Sequence, residues 1–144
     1  MKIYDKNGSI INSRQVYIHD NTFYQMNFNW ETKNLYIILA NDTNINDTYI
    51  IQFMNVIGFN MTSCNFWGIS PYVLDFEYIE HKERTLIPKL YDEYSKNLKD
   101  PTCNLEKNID YIETAITFKS GDKLIIACEY IVLDLQMVNI TSNN

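Results

Sequence analysis

Asp75, Glu77 and His81 stand at even separations in the stretch YVLDFEYIEH. If that stretch is extended, alternate side chains project together, so two carboxylates and an imidazole share one face. Such a trio has the chemistry of a metal site or of an acid–base pair. A solvated strand face has the same composition, and no metal-binding motif accompanies the trio. Glu113 and Glu129 form a second candidate. Set opposite one another in a hairpin, they would repel or share a cation, and paired carboxylates carry glycoside hydrolysis. The plain alternative is that both face water in another register. A third constellation, Cys64 with His19 or His81, has the residue types of a Cys–His nucleophile. No local signature surrounds Cys64. Glycine-rich phosphate loops and the G-x-S-x-G elbow are absent, and Ser120-Gly121-Asp122 reads as a turn.

The elements that must position these groups are mostly strands. In TFYQMNFNWE, residues 22–31, Tyr24, Met26, Phe28 and Trp30 alternate with Phe23, Gln25, Asn27 and Asn29, the period of a half-buried strand. Leu35–Ala40 is a continuous apolar run, as in a strand covered on both sides, and the short link before it predicts a hairpin. Residues 49–62 read as one long strand in which Gly58 marks a bulge or a close approach. Phe66–Ile69 and Tyr72–Glu80 are strand segments interrupted at Ser70-Pro71. In the second, Tyr72, Leu74, Phe76 and Tyr78 form an apolar wall, with Val73, Asp75, Glu77, Ile79 and His81 on the opposite face.

One helix is expected. Leu86, Leu90, Tyr94 and Leu98 recur every fourth residue, an amphipathic stripe. Pro88 fits its first turn, and Asp100-Pro101 ends it. Ile109–Phe118 and Lys123–Leu135 flank Ser120-Gly121-Asp122 as a hairpin. Its predicted register sets Phe118 opposite Leu124, Ile116 opposite Ile126, Ile112 opposite Tyr130 and Glu113 opposite Glu129.

The whole is a single domain over 1–144, mainly β: a twisted antiparallel sheet or sandwich of about seven strands with one amphipathic helix. A chain of 144 residues buries roughly 70% of its unfolded surface, so it needs neither disulfides nor metal to build a core. Eleven Tyr and seven Phe suit broad strand faces. With four Gly and three Pro, the turns fall to Asn and Asp. Cys64, Cys103 and Cys128 form no C-x-x-C and no Cys/His cluster, which argues against zinc and for free thiols in a reducing cytoplasm. Cys128, inside LIIACEYIVL, reads as buried and inert.

Net charge is −6, and the twelve Lys and Arg are scattered, so a nucleic-acid backbone is not an expected partner. The start MKIYDKNGSI has no apolar core of a signal peptide, and no apolar run is long enough for a membrane helix. No cofactor or metal is expected, and oligomeric state stays open.

NWETKNLYIIL, VIGFNMTSCNFWG and ITFKSGDKLIIACEYIVLDL together resemble small uncharacterised bacterial proteins treated as immunity proteins beside polymorphic or contact-dependent toxins. The resemblance spans about half the chain and carries no catalytic signature. It implies tight binding of a cognate toxin without turnover, and it assigns no site residues. Two functions follow. One is a non-catalytic cytosolic binding protein in which Asp75, Glu77, Glu80, Glu83 and Trp67 meet a basic protein toxin. The other is a β-sandwich enzyme or small-ligand binder using Asp75, Glu77 and His81, or Glu113 and Glu129.

Overall fold

The computed structural model describes residues 3–5, 7–11, 18–41, 44–62, 72–97 and 110–137. Ten strands form among them: β1 Ile3–Asp5, β2 Ile10–Ile11, β3 Thr22–Asn29, β4 Asn34–Asn41, β5 Asn44–Met54, β6 Gly58–Met61, β7 Val73–Ile79, β8 Ile112–Phe118, β9 Lys123–Cys128 and β10 Tyr130–Met137. A 3-10 turn covers His81–Glu83, and the helix α1 covers Leu86–Asn97. Among the described residues the protein is mainly β with one α-helix, as its patterning predicts. Phe66–Ile69, Trp67 and the cysteines Cys64 and Cys103 lie outside the described residues.

The strands make two sheets, ordered β2-β1-β10-β5-β4-β3 and β6-β9-β8-β7. Every strand pairing is antiparallel except β1 with β10. The sheets face each other across one core. Leu35, Ile37, Leu39, Ile51, Phe53 and Ile131 come from the first, and Ile116, Phe118, Leu124 and Ile126 from the second; all are buried. Each such side chain contributes about 1.5–3 kcal/mol on leaving water. Phe23 meets Phe118 edge-on at 5.3 Å, and Phe53 meets Phe76 at 6.4 Å, locking the layers together. On the other face of β4, Tyr36 and Ile38 are only half-buried.

Two runs expected as single strands are broken, for one shared reason. Residues 49–62 bend at Asn55, whose φ of 50° is left-handed, a conformation Asn tolerates better than most residues. There the chain leaves the six-stranded sheet and re-enters as β6 in the four-stranded one. Residues 123–135 bend at Glu129, where β9 passes into β10 and back to the first sheet. The two crossings run side by side. The Ile57 N–H donates to the Ala127 carbonyl at 2.9 Å, and the Glu129 N–H donates to the Met54 carbonyl at 3.0 Å. Asn55 Nδ2 donates to the Glu129 carboxylate. At Asn55 the apolar alternation hides the corner, because Ile51 and Phe53 before it and Phe59 and Met61 after it keep one parity, whereas at Glu129 the buried parity shifts by one, from Leu124, Ile126 and Cys128 to Ile131 and Leu133.

At the opposite side β3 and β7 come together through a Thr22–Tyr72 bridge. The Asp20 carboxylate ties this seam, accepting from Lys119 Nζ at 2.6 Å and contacting His19 Nδ1 at 2.8 Å. The hydrogen bonds from Lys119 and then His19 hold its carboxyl below the usual carboxylate range. Just past the bridge, β3 carries a bulge between Phe23 and Gln25, and β7 one between Val73 and Asp75. These bulges correct the predicted faces. An extra residue on one strand switches the side of everything after it. Phe23 therefore joins Met26 and Phe28 against the core, while Tyr24 is 71% exposed. Val73 joins Phe76 inside, and Leu74 leaves the expected apolar wall and is 44% exposed.

The β8–β9 register also differs from the expected one, by two residues. Ile116 faces Leu124, Ile112 faces Cys128, and Glu113 faces Ala127. The cause is the turn. Gly121, at φ 89°, must be the third loop residue, so Phe118 and Asp122 close the hairpin. A shift of two keeps every side chain on its predicted face and removes the like-charged Glu113–Glu129 pairing.

α1 lies on the outer face of the four-stranded sheet. Leu86, Ile87 and Leu90 pack with Ala127, Ile57 and Ile125, and Pro88 occupies the first turn, as expected. Gly58 proves to be a close approach: a Cβ there would stand 2.6 Å from the Leu90 side chain and 3.7 Å from Ile87. The Leu90 methyl can swing aside for one added carbon but not for a branched side chain. We expect Gly58→Ala to be nearly neutral and Gly58→Val to cost about 1–3 kcal/mol, with Leu90→Ala in the Val background recovering part of the loss, all measured by urea denaturation.

Candidate functional site

Glu113 is the most constrained of the predicted site residues. It sits in β8, between β7 and β9, and is fully buried. Its Oε1 accepts from the Thr85 N–H at 3.2 Å, and both its oxygens lie within reach of the Leu86 N–H, at 3.4 and 3.3 Å. These are first-turn donors of α1. Helix starts leave such donors unpaired, and α1 has no acidic residue in its first turn. Pro88 removes one donor outright. The sheet therefore supplies the cap that the helix lacks. Burying a carboxylate costs several kcal/mol. Hydrogen bonds to a charged group return about 1.5–3 kcal/mol each, and the positive helix end adds up to roughly 2 kcal/mol. These hydrogen bonds offset part of the cost of placing the carboxyl group inside the sheet.

Glu129 is elsewhere. It lies at the exposed bend between β9 and β10, bonded to Asn55. The two glutamates are thus not a cross-strand pair, because Ala127 occupies the place opposite Glu113.

The Asp75, Glu77 and His81 trio is not assembled as predicted either. Asp75 Oδ1 accepts from the neighbouring Phe76 N–H at 2.8 Å, occupying a backbone donor of the outermost strand. Glu77 is half-exposed and 3.9 Å from Lys123 Nζ. The strand stops at Ile79, and His81 opens the 3-10 turn, exposed to solvent. Alternation therefore ends before it reaches the imidazole. Glu80 pairs with Lys82 at 3.4 Å, and Glu83 is exposed. No group of three or more His, Cys, Asp or Glu side chains among the described residues is placed to hold a metal ion. Cys128 is completely buried. Burial, and then the charge of Glu129, pushes its thiol up to about 12, so it is inert as expected.

A different set of side chains converges next to this region. Arg84, immediately before the capped turn, lays its guanidinium over the Tyr111 ring at 4.8 Å and the Tyr78 ring at 5.8 Å, and it donates to the Tyr78 hydroxyl at 2.8 Å. Tyr111 in turn borders a cleft of about 300 Å³ with Tyr4, Asp110, Glu129 and Tyr130. Burial, and then the nearby Glu113 charge, holds the Tyr111 phenol above its usual value. Of these residues, only Glu129 is a candidate on sequence grounds, and for a pairing with Glu113. The available signal was the repeated acid–tyrosine step, Asp110-Tyr111 and Glu129-Tyr130, at the starts of β8 and β10.

Removing the carboxylate from position 113 leaves the helix donors behind in an apolar setting. Glu113→Leu is expected to lose about 1–3 kcal/mol in chemical denaturation, with a drop in helical circular dichroism. Glu113→Gln, which keeps one acceptor oxygen, should lose less than half as much. Equal stability of the Leu variant and the wild type would show that the cap contributes nothing net. Among known proteins, no family model matches the chain and no curated protein is significantly similar to it.

Proposed function

We propose that this chain is a non-catalytic binding protein that captures a basic protein partner, in the manner of an immunity protein neutralising a toxin. The observation that carries this reading is the surface of β7 and the turn after it. Leu74 and Tyr78 are exposed there, at 44% and 37%, beside the exposed carboxylates Asp75, Glu77, Glu80 and Glu83. Apolar anchors within a charged rim are the usual anatomy of a protein interface. With a net charge of −6, such a rim steers a basic surface into contact and speeds association at low salt. The Asp75 side chain bonded to its own strand blunts the sheet edge. That favours docking through side chains over the addition of a partner strand.

The test begins with co-purification of the chain and the products of its neighbouring genes, together with protection of cells that express the captured protein. A partner that binds without any loss of its toxicity contradicts neutralisation. For a captured partner, Asp75→Lys with Glu77→Lys should slow association about tenfold at low salt, with the dissociation rate changed by less than about twofold. Leu74→Ala with Tyr78→Ala should instead speed dissociation. Stopped-flow measurements at two salt concentrations separate these effects. Unchanged rates for both double variants would remove β7 from the interface.

A further inference from the structure

We propose that the cleft at the corner of the two sheets is a binding site for an alkyl chain ending in a cation, an ammonium or guanidinium group. Three tyrosines, Tyr4, Tyr111 and Tyr130, and two carboxylates, Asp110 and Glu129, line the cleft with Ile112, and no basic residue is among the described lining. Tyr4 and Tyr130 meet edge-to-face at 5.8 Å, which fixes both rings. Arg84 braces Tyr111 by stacking on it. Asn55 holds the Glu129 carboxylate by a side-chain hydrogen bond. Walls and charge are therefore set before any ligand arrives, which limits the ordering cost of binding.

The chemistry of the lining selects the ligand. Aromatic faces attract cations through their quadrupoles, and adjacent carboxylates complete the neutralisation. An anion would meet two negative groups, Asp110 and Glu129, and the Arg84 guanidinium lies behind the Tyr111 ring and is not itself among the described lining. A second, more open hollow of about 460 Å³ is also lined by Tyr4 and Tyr130 and adds Val132 and Gly8. Asp5 also lines it, but its Oδ1 accepts from the Asn7 and Ser9 N–H groups at 2.9 and 2.8 Å. The hollow suits the aliphatic stem of a lysine, an arginine or an alkylammonium ion. The site is separate from the β7 surface and stands or falls without it.

Amide NMR spectra of the full chain test this directly. The probes are butylammonium chloride and arginine amide, with pentanol as an uncharged chain of similar length and sodium chloride as the ionic-strength control. Both cations should give saturable shifts centred on Tyr4, Tyr111 and Tyr130, with dissociation constants on the order of 10 mM. Asp110→Asn with Glu129→Gln should weaken them at least about fivefold. Asp110 is exposed and Gln can still accept from Asn55, so the dispersed spectrum should persist and report an intact fold. Equal shifts from pentanol, shifts reproduced by sodium chloride, or full binding by the double variant would overturn the proposal. Binding of an arginine-containing peptide at least about tenfold tighter than arginine amide would support the site and assign it to a partner's side chain. Equal binding would support the site and assign it to a free small cation.

Discussion

A single buried carboxylate joins the β-sandwich to everything outside it. Glu113 rises from the middle of the four-stranded sheet and accepts the first amides of α1. That contact fixes where the helix begins. The apolar stripe of Leu86, Ile87 and Leu90 fixes only which way it faces. Because Thr85 and Leu86 are held, Arg84 directly before them is held too, and its guanidinium spans Tyr78 on β7 and Tyr111 on the way into β8. Tyr111 then forms a wall of the corner cleft. One buried side chain thus places both the exposed edge of β7 and the cleft. A residue with the look of a catalytic acid does positional work.

The two sides of the sandwich solve the same closure problem differently. On one side the chain itself crosses between sheets twice, side by side and in opposite directions, with Asn55 and Glu129 at the bends. On the other, β3 and β7 meet through the Thr22–Tyr72 bridge, and each strand bulges immediately afterwards. Bulges bend a strand and reverse its faces, so the sheets can part again while Phe23 and Val73 stay inside. The same reversal turns Tyr24 and Leu74 outward. Exposed apolar side chains at a seam are thus a consequence of closure, and on β7 they stand among the acids that would meet a basic partner.

Much of this was legible in the residues. Period-two alternation located the strands, and fourth-residue spacing located α1. Three features were not legible, each for a physical reason. The corner at Asn55 lies within an unbroken alternation, since Ile51, Phe53, Phe59 and Met61 keep one parity, and the corner at Glu129 shifts the buried parity by one inside an otherwise apolar run. The bulges insert one residue without any Gly or Pro to mark them. The register of β8 and β9 depends on which loop residue takes the left-handed conformation, and Gly121 settles it one position away from the symmetric choice. The role of Glu113 had a fainter trace. A lone acid within IETAITF, and a helix with no acid in its first turn, are complementary omissions, but only the fold brings them together. The candidate trio failed because the strand ends two residues before His81.

The claim on which the rest leans is that Glu113 ties the start of α1 to the sheet core. Native-state hydrogen exchange at the Leu86 amide reads this contact most directly. First-turn helix amides ordinarily exchange by local fraying at low free energy. Held by a buried carboxylate, the Leu86 amide should exchange only through global unfolding, with the same free energy as the amides of β8 and β9. Exchange at the rate of a frayed, solvent-bonded helix end would contradict the account.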